Sequence, residues 1–475
     1  MNILALDVGS SSVKAAYWHA GRFGDTARIA FPTLHDGLRV EVPPAAILRA
    51  VDEALAVASR GQPAPDAIAF DTFSSGVAVL DPRTGKARCN IITHQYRRSL
   101  EDARRIEAAI GKRKHLTLAG NRPVPGGIGS TSLAWLAAHD KAAFRGGALV
   151  GQTSSLVLRH LTGEWVIDPS QATFLGLCDI RKGAWHEELC AAAGVKSAWL
   201  PRVAYADEIA GRLTAPAGRR TKLPAGAPVI GGLIDTGAAV VATGMPVGQL
   251  VHNAGSTDVL ALCITTPQPD EDILTRPVGT GAALPARWLA ASTIAAAGSA
   301  IDWAHQMFFR DLSKHDYRAL VARTCHLAAH RGAGWPRHAG LVSRQDARVT
   351  SEVKAGRMPA LLGSAANSTL VFTPYLAGDR TSLDQPTAAL TGLTLATSRE
   401  DMLAALVAGL IAESGRRYAR LSQLEPILPV VRTMGGAGEL AGAMHSVWPQ
   451  AHRFRAIDGE ALAGLVVIAK AALGG

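Results

Sequence analysis

Two short stretches, one near the start of each half of the chain, share a pattern that few folds accommodate. Asp7-Val8-Gly9-Ser10-Ser11-Ser12-Val13-Lys14 and Asn253-Ala254-Gly255-Ser256-Thr257-Asp258-Val259 both read as a polar residue, one spacer, Gly, two hydroxyls and an apolar strand. Ile3-Leu4-Ala5-Leu6 and the segment from Val13 to Trp18 flank the first turn as short strands. A tight turn of Gly and Ser gathers backbone N–H groups and hydroxyls in one concavity, which suits phosphate oxygens. Either turn alone also fits an ordinary hairpin. Their duplication points to a triphosphate gripped between two related lobes.

At 475 residues the chain exceeds one ordinary core and fits two large domains. The expected boundary is the Pro/Gly connection Met245-Pro246-Val247-Gly248, giving domains 1–246 and 247–475. In the first half, Ile47, Val51, Leu55 and Ala58 share a helical face, and 67–70 and 77–80 read as strands. Helices are expected over 100–110, 131–139 and 154–161. A strand at 228–230 then runs into Gly231-Gly232-Leu233-Ile234-Asp235 and a small-residue helix over 238–243. The second half repeats this logic: a hairpin around Gly255, a helix near 299–309, a strand over 429–432, then Gly435-Gly436-Ala437-Gly438 and a helix over 439–446. Residues 330–368 lack periodicity and are expected to form a surface insertion with little chemistry.

Composition narrows the classes. Five cysteines (Cys89, Cys178, Cys190, Cys263, Cys325) without C-x-x-C spacing argue against a disulfide framework or structural zinc and for a reducing compartment. Met1-Asn2-Ile3-Leu4 has no basic region of a signal peptide, and the apolar stretch 288–301 is too short and too polar to span a bilayer. A soluble, cytoplasmic protein is expected. The formal charge of +10 is spread in short clusters with no aromatic RNA-binding signature, which argues against nucleic acid.

Asp235 is the first candidate for catalysis. It follows a Gly-Gly strand end and starts an Ala-rich helix, where open α/β sheets bind ligands. An Asp so placed also suits a helix N-cap. Phosphoryl transfer to a hydroxyl needs one carboxylate to take the proton, plus donors and a metal to offset charge. Asp7 would tolerate phosphate with Mg²⁺ between them, water being retained on the metal, or else it bonds its own turn. Lys14 would neutralise a phosphate or stay solvated. Gly436-Ala437-Gly438-Glu439-Leu440-Ala441 satisfies G-x-G-x-x-A, with Asp458 about 20 residues later. That pattern normally opens a dinucleotide domain, so a glycine shelf for adenine or ribose is the preferred reading.

With these positions assembled, the chain resembles the FGGY carbohydrate kinases nearly end to end. Asp7 to Lys14 looks like their first phosphate motif, and Gly255-Ser256-Thr257 like the second. Leu161-Thr162-Gly163-Glu164 and Asp168-Pro169-Ser170-Gln171-Ala172 look like their LTGE and D-x-S-x-A stretches. Phe372-Thr373-Pro374-Tyr375-Leu376-Ala377-Gly378-Asp379-Arg380-Thr381 resembles F-x-P-Y-L-x-G-E-R-T, followed by Gly392-Leu393-Thr394. Gly435-Gly436-Ala437 matches most of an adenosine-side GGGA, with Met434 in place of its first Gly.

The resemblance implies an α/β, two-lobed actin/hexokinase/Hsp70-like ATPase fold, made of duplicated ribonuclease H-like domains around a central cleft. It implies Mg-ATP-dependent phosphorylation of a sugar, polyol or sugar-acid hydroxyl. Asp235 is then the base, and Asp7 positions Mg²⁺. Gly9, Ser10, Ser11, Ser12, Lys14, Gly255, Ser256 and Thr257 hold phosphates. Gly435 and Gly436 lie against the nucleoside, and Gly298 precedes a conserved helix aromatic, here Trp303. Thr72, Ser75, Tyr96 and Arg98 are the candidates to touch the acceptor. Two departures fall there: Ser75-Gly76 where relatives commonly carry His before Gly, and His94-Gln95-Tyr96-Arg97-Arg98 where they carry W-x-D-x-R. Losing that Asp argues against the common pentuloses. The expected partner is a small-molecule substrate, with no nucleic acid and no membrane; a homodimer stays open. The altered pocket also admits a silent ATP- or sugar-binding sensor or scaffold, and the glycines after Met434 a nicotinamide-dependent oxidoreductase.

Overall fold

Residues alternate between two buried faces along the first strand, β1 (Ile3–Val8), and this sets the architecture of the first lobe. The computed structural model describes residues 1–331, 370–436, 438–457 and 459–475. β1 pairs antiparallel with β2 (Ser12–His19), with Asp7 opposite Lys14. On its other side it runs parallel to β3 (Ala67–Thr72), with Asp7 beside Asp71. β4 (Pro228–Ile234) adds in parallel beyond β3. Leu4, Leu6 and Val8 face the helix α1 (Pro44–Ala58) through Ile47, Val51 and Leu55. Behind β4 lies α2 (Pro169–Leu175), whose N-cap Asp168 accepts from the Ser170 and Gln171 N–H groups. Ile3, Ala5, Ala67 and Ala69 face the other way, into a core shared with α3 (Asp235–Val241).

The second sheet repeats the plan. β5 (Leu250–Ala254) and β6 (Asp258–Ile264) form an antiparallel hairpin. β7 (Leu274–Pro277) and β8 (Trp288–Ile294) extend the β6 side, and β9 (Val430–Met434) and β10 (Arg453–Ala456) add in parallel on the β5 side. The order is β7-β8-β6-β5-β9-β10. Three helices cover it: α4 (Gly298–Phe308), α5 (Gly438–Ser446) and the helix Arg399–Leu421, which opens with a capping box between Ser398 and Asp401. The last helix, α6 (Glu460–Ala472), returns to α3 and the first sheet, so Leu465 and Ile468 share a core with Ile3 and Ala69.

Some expectations need correction. The strand foreseen at 228–230 runs on to Ile234, through a bulge between Gly231 and Leu233. Gly231 has φ +100°, and a Cβ there would meet the Phe70 carbonyl at 2.3 Å, so the bulge requires glycine. The helices Lys314–Arg331 and Arg399–Leu421 were not anticipated. Almost all of the expected insertion at 330–368, together with Ala437 and Asp458, lies outside the described residues. Among the described residues no helix is long and apolar enough to cross a membrane.

Candidate active site

Three carboxylates gather at the carboxyl ends of neighbouring parallel strands, where such sheets bind ligands. Asp7 ends β1 next to Asp71 of β3, Asp71 pairs in turn with Leu233 of β4, and Asp235 follows β4 directly. Asp235 does not cap α3; Ile234 holds that position. Its Oδ1 accepts from the Thr236 N–H at 2.6 Å and from the Thr236 hydroxyl at 3.1 Å. Burial, and then the charge of Asp7, raise its pKa above the ordinary carboxylate value. Asp71 is wholly buried and neither oxygen meets a donor. Burial, with Asp7 and Asp235 nearby, pushes it well up. Sequence reasoning missed Asp71, although a charge inside an apolar strand was a visible signal. Lys14 forms an ion pair with Asp7 at 3.4 Å across the β1–β2 hairpin.

Both glycine turns form as hairpins. Gly9 N–H donates to the Ser12 carbonyl at 3.0 Å, leaving Ser10 and Ser11 exposed, while the Ser12 hydroxyl accepts from Arg28. Gly255 N–H donates to the Thr257 carbonyl at 2.9 Å. The start of α4 clasps this second turn: Gly298 N–H donates to the Gly255 carbonyl, and Ser299 N–H and hydroxyl donate to that of Ser256. A Cβ on Gly298 would stand 2.6 Å from the Gly255 oxygen, so no larger residue fits without displacing the turn. Gly255, Ser256, Gly298 and Gly436 line one cavity of about 730 Å³. Lys314 and Arg318, cations that sequence reasoning missed, line it too. Thr257 is half-buried beside the turn, Gly435 abuts the Ala254 carbonyl, and Trp303 packs edge-on to Phe308.

A chain of contacts ties the second hairpin to α5, whose Glu439 and Leu440 line this cavity. His252 on β5 lies 2.5 Å from Asp258 Oδ1 on β6 through Nε2, and 2.7 Å from His445 Nε2 on α5 through Nδ1. Nε2 thus faces the carboxylate and Nδ1 faces the second imidazole.

On the other side of the acidic centre, Thr72 is buried and its hydroxyl accepts from Gln171 at 2.7 Å. Ser75 is buried with its hydroxyl unbonded. Tyr96 packs in the apolar cluster of Ile92 and Leu133, edge-on to Trp135. Arg98 is exposed, 4.2 Å over the Trp135 ring. It is Arg97 that reaches the loop carrying Arg380, donating to the carbonyls of His94, Pro125 and Ala377.

Comparison with known proteins agrees with this layout. L-fuculokinase of Salmonella typhi is 27% identical over 294 residues, which cover 56% of this chain and 59% of that protein. The crystal structure of xylulose kinase from Rhodospirillum rubrum superposes with a TM-score of 0.80 at 21% identity, covering 100% of this chain and 90% of that one. Plasmodium falciparum glycerol kinase with ADP gives 0.77 at 15% identity, covering 98% and 88%. These structural likenesses establish the two-lobed actin/hexokinase-like fold. The model of the N-terminal domain of the FGGY family of carbohydrate kinases matches residues 2–242, about half of the sequence, and the chain belongs to that family.

Proposed function

We propose that this protein transfers a phosphoryl group from ATP to a hydroxyl of a sugar, polyol or sugar acid, with Asp235 as the general base. The observation that carries this reading is the acidic centre of Asp7, the buried Asp71 and Asp235 at the ends of adjacent strands. The first lobe, 1–246, would hold the acceptor and the second, 247–475, the nucleotide.

The residues fit these roles. A carboxylate whose pKa is raised by burial is a stronger base than one in water, and Asp235 would take the proton as the hydroxyl attacks. The hydroxyls and N–H groups of Ser10, Ser11, Gly255 and Ser256 would bind phosphate oxygens. The 730 Å³ cavity at Gly298 and Gly436 is large enough for a nucleoside. Among the described residues no group of three or more His, Cys, Asp or Glu has metal-holding geometry. Mg²⁺ keeps waters and takes one or two carboxylates with substrate phosphates. Asp7 would hold it through water, as the chemistry of the ion favours, with the unbonded Asp71 carboxyl alongside. The ion would offset charge on the transferred group.

A second reading, a sensor that binds but does not phosphorylate, draws on Tyr96, which packs in the core where relatives carry an acceptor-binding Asp. Release of ADP that depends on one added sugar separates the two. Asp235→Asn should lower turnover by about a hundredfold to ten-thousandfold with ADP binding retained. Full turnover by that variant would defeat the assignment.

A further inference from the structure

Arg276 on β7 is 1% exposed, yet its Nε, Nη1 and Nη2 donate to nothing. Its guanidinium carbon sits 3.6 Å from the centroid of the Phe174 ring. A buried cation without hydrogen bonds is far costlier than such stacking recovers. Burial, and then the charge of Arg380, hold its pKa down to about 9. Arg380 is half-buried with its Nε shielded and unbonded, and the compensating charge acting on it is Asp235. Arg97, and a His94 kept neutral by burial, complete the group beside Arg380.

The surroundings tie Arg276 to the elements that carry and support the base. Phe174 belongs to α2, whose Gln171 amide reaches the Thr72 hydroxyl and whose Ser170 hydroxyl accepts from the N–H of Ile234. Just after β7, the Val278 carbonyl would lie 3.2 Å from a Cβ on Gly237, so this strand end abuts the first turn of α3. The unbonded guanidinium of Arg276 and the unbonded Nε of Arg380 thus lie together near the start of α3, with Asp235 the carboxylate that acts on Arg380. The planar fork of Arg matches a carboxylate or phosphate in two parallel hydrogen bonds.

We infer that Arg276, with Arg380 beside it, binds an oxyanion on the acceptor side of the cleft, so that the acceptor is a sugar bearing a carboxylate or phosphate. The word acceptor rests on the kinase reading above; the anion site does not.

Calorimetric titration of the full chain without nucleotide tests this. The probes are a panel of four- to six-carbon aldonates and sugar phosphates, their matched neutral polyols, and inorganic phosphate. At least one acid should bind ten times or more tighter than its polyol, with inorganic phosphate competing. Arg276→Met, which keeps bulk against Phe174, should abolish that preference, and Arg380→Gln should do so if the first variant folds poorly. ADP affinity should stay within twofold. Equal binding of acids and polyols, absence of any anion binding, or an unchanged preference in both variants would overturn the site. A loss confined to ADP affinity would assign the anion to the nucleotide and overturn the acceptor role. Acid binding without ADP release defeats the kinase reading and leaves the site; ADP release with neutral polyols alone does the reverse.

Discussion

Asp7 and Asp71 stand side by side in the parallel register of β1 and β3, two carboxyl groups at one level of a buried sheet. Burial and the neighbouring charges keep Asp71 protonated far above the ordinary carboxylate range, and in that form it can donate to Asp7. An amide mimics a neutral carboxyl in size and donor capacity. Asp71→Asn should therefore keep the unfolding free energy within about 1 kcal/mol of wild type, while Asp71→Ala, which leaves a void and no donor, should cost about 2 kcal/mol. Urea denaturation of the three proteins decides this.

Gly298 offers a steric test of the second turn. A methyl group there would press on the Gly255 carbonyl from 2.6 Å, and the turn must shift because backbone, not a flexible side chain, is in the way. Gly298→Ala should weaken ADP about tenfold, roughly 1.4 kcal/mol, with little change in acceptor binding. Paired titrations with ADP and acceptor would show whether the loss is so confined.

The His252–Asp258 contact predicts coupling. Both groups are buried, at 0% and 1% exposure, so His252→Ala strands a carboxylate in the interior. The expected loss is about 3 kcal/mol. Asp258→Ala introduced into that variant should recover part of it, because the stranded charge is gone. Additive losses in the double-mutant cycle would mean the pair is not coupled.

Stability should also carry a pH signature from Asp168, which burial raises to about 7 despite the hydrogen bonds from Ser170 and Gln171. The unfolded value is about 3.9, so the folded chain binds the extra proton between the two. Its contribution is complete below about pH 4 and is lost as pH rises through about 7. Relative to Asp168→Asn, which keeps the Oδ1 acceptor but does not titrate, wild type should lose on the order of 4 kcal/mol between pH 4 and 8. Parallel curves for the two proteins would contradict this.

What could be read from the chain was local. Gly9 and Gly255 announce their hairpins because turn chemistry lies within a few residues. The face of Ile47, Val51 and Leu55 is visible because helical period repeats over one short window. Lys314–Arg331 escaped notice although its buried Tyr317, Leu320, Val321 and Cys325 keep helical spacing, because alanines and Leu327 on its other faces blur the stripe. Arg399–Leu421 did carry a legible capping box at Ser398 and Asp401.

The sequence by itself determined two phosphate-type turns, an acid after Gly231-Gly232 and a chain of strands and helices laid out twice. Tertiary structure alone decided that Asp71 joins Asp7 and Asp235, that Arg97 rather than Arg98 turns to the loop of Arg380, and that Arg276 lies buried and unbonded beside them. The reason is that burial and charge proximity belong to pairs of residues remote in the chain, and the strand order that brings them together is set by the packing of whole sheets.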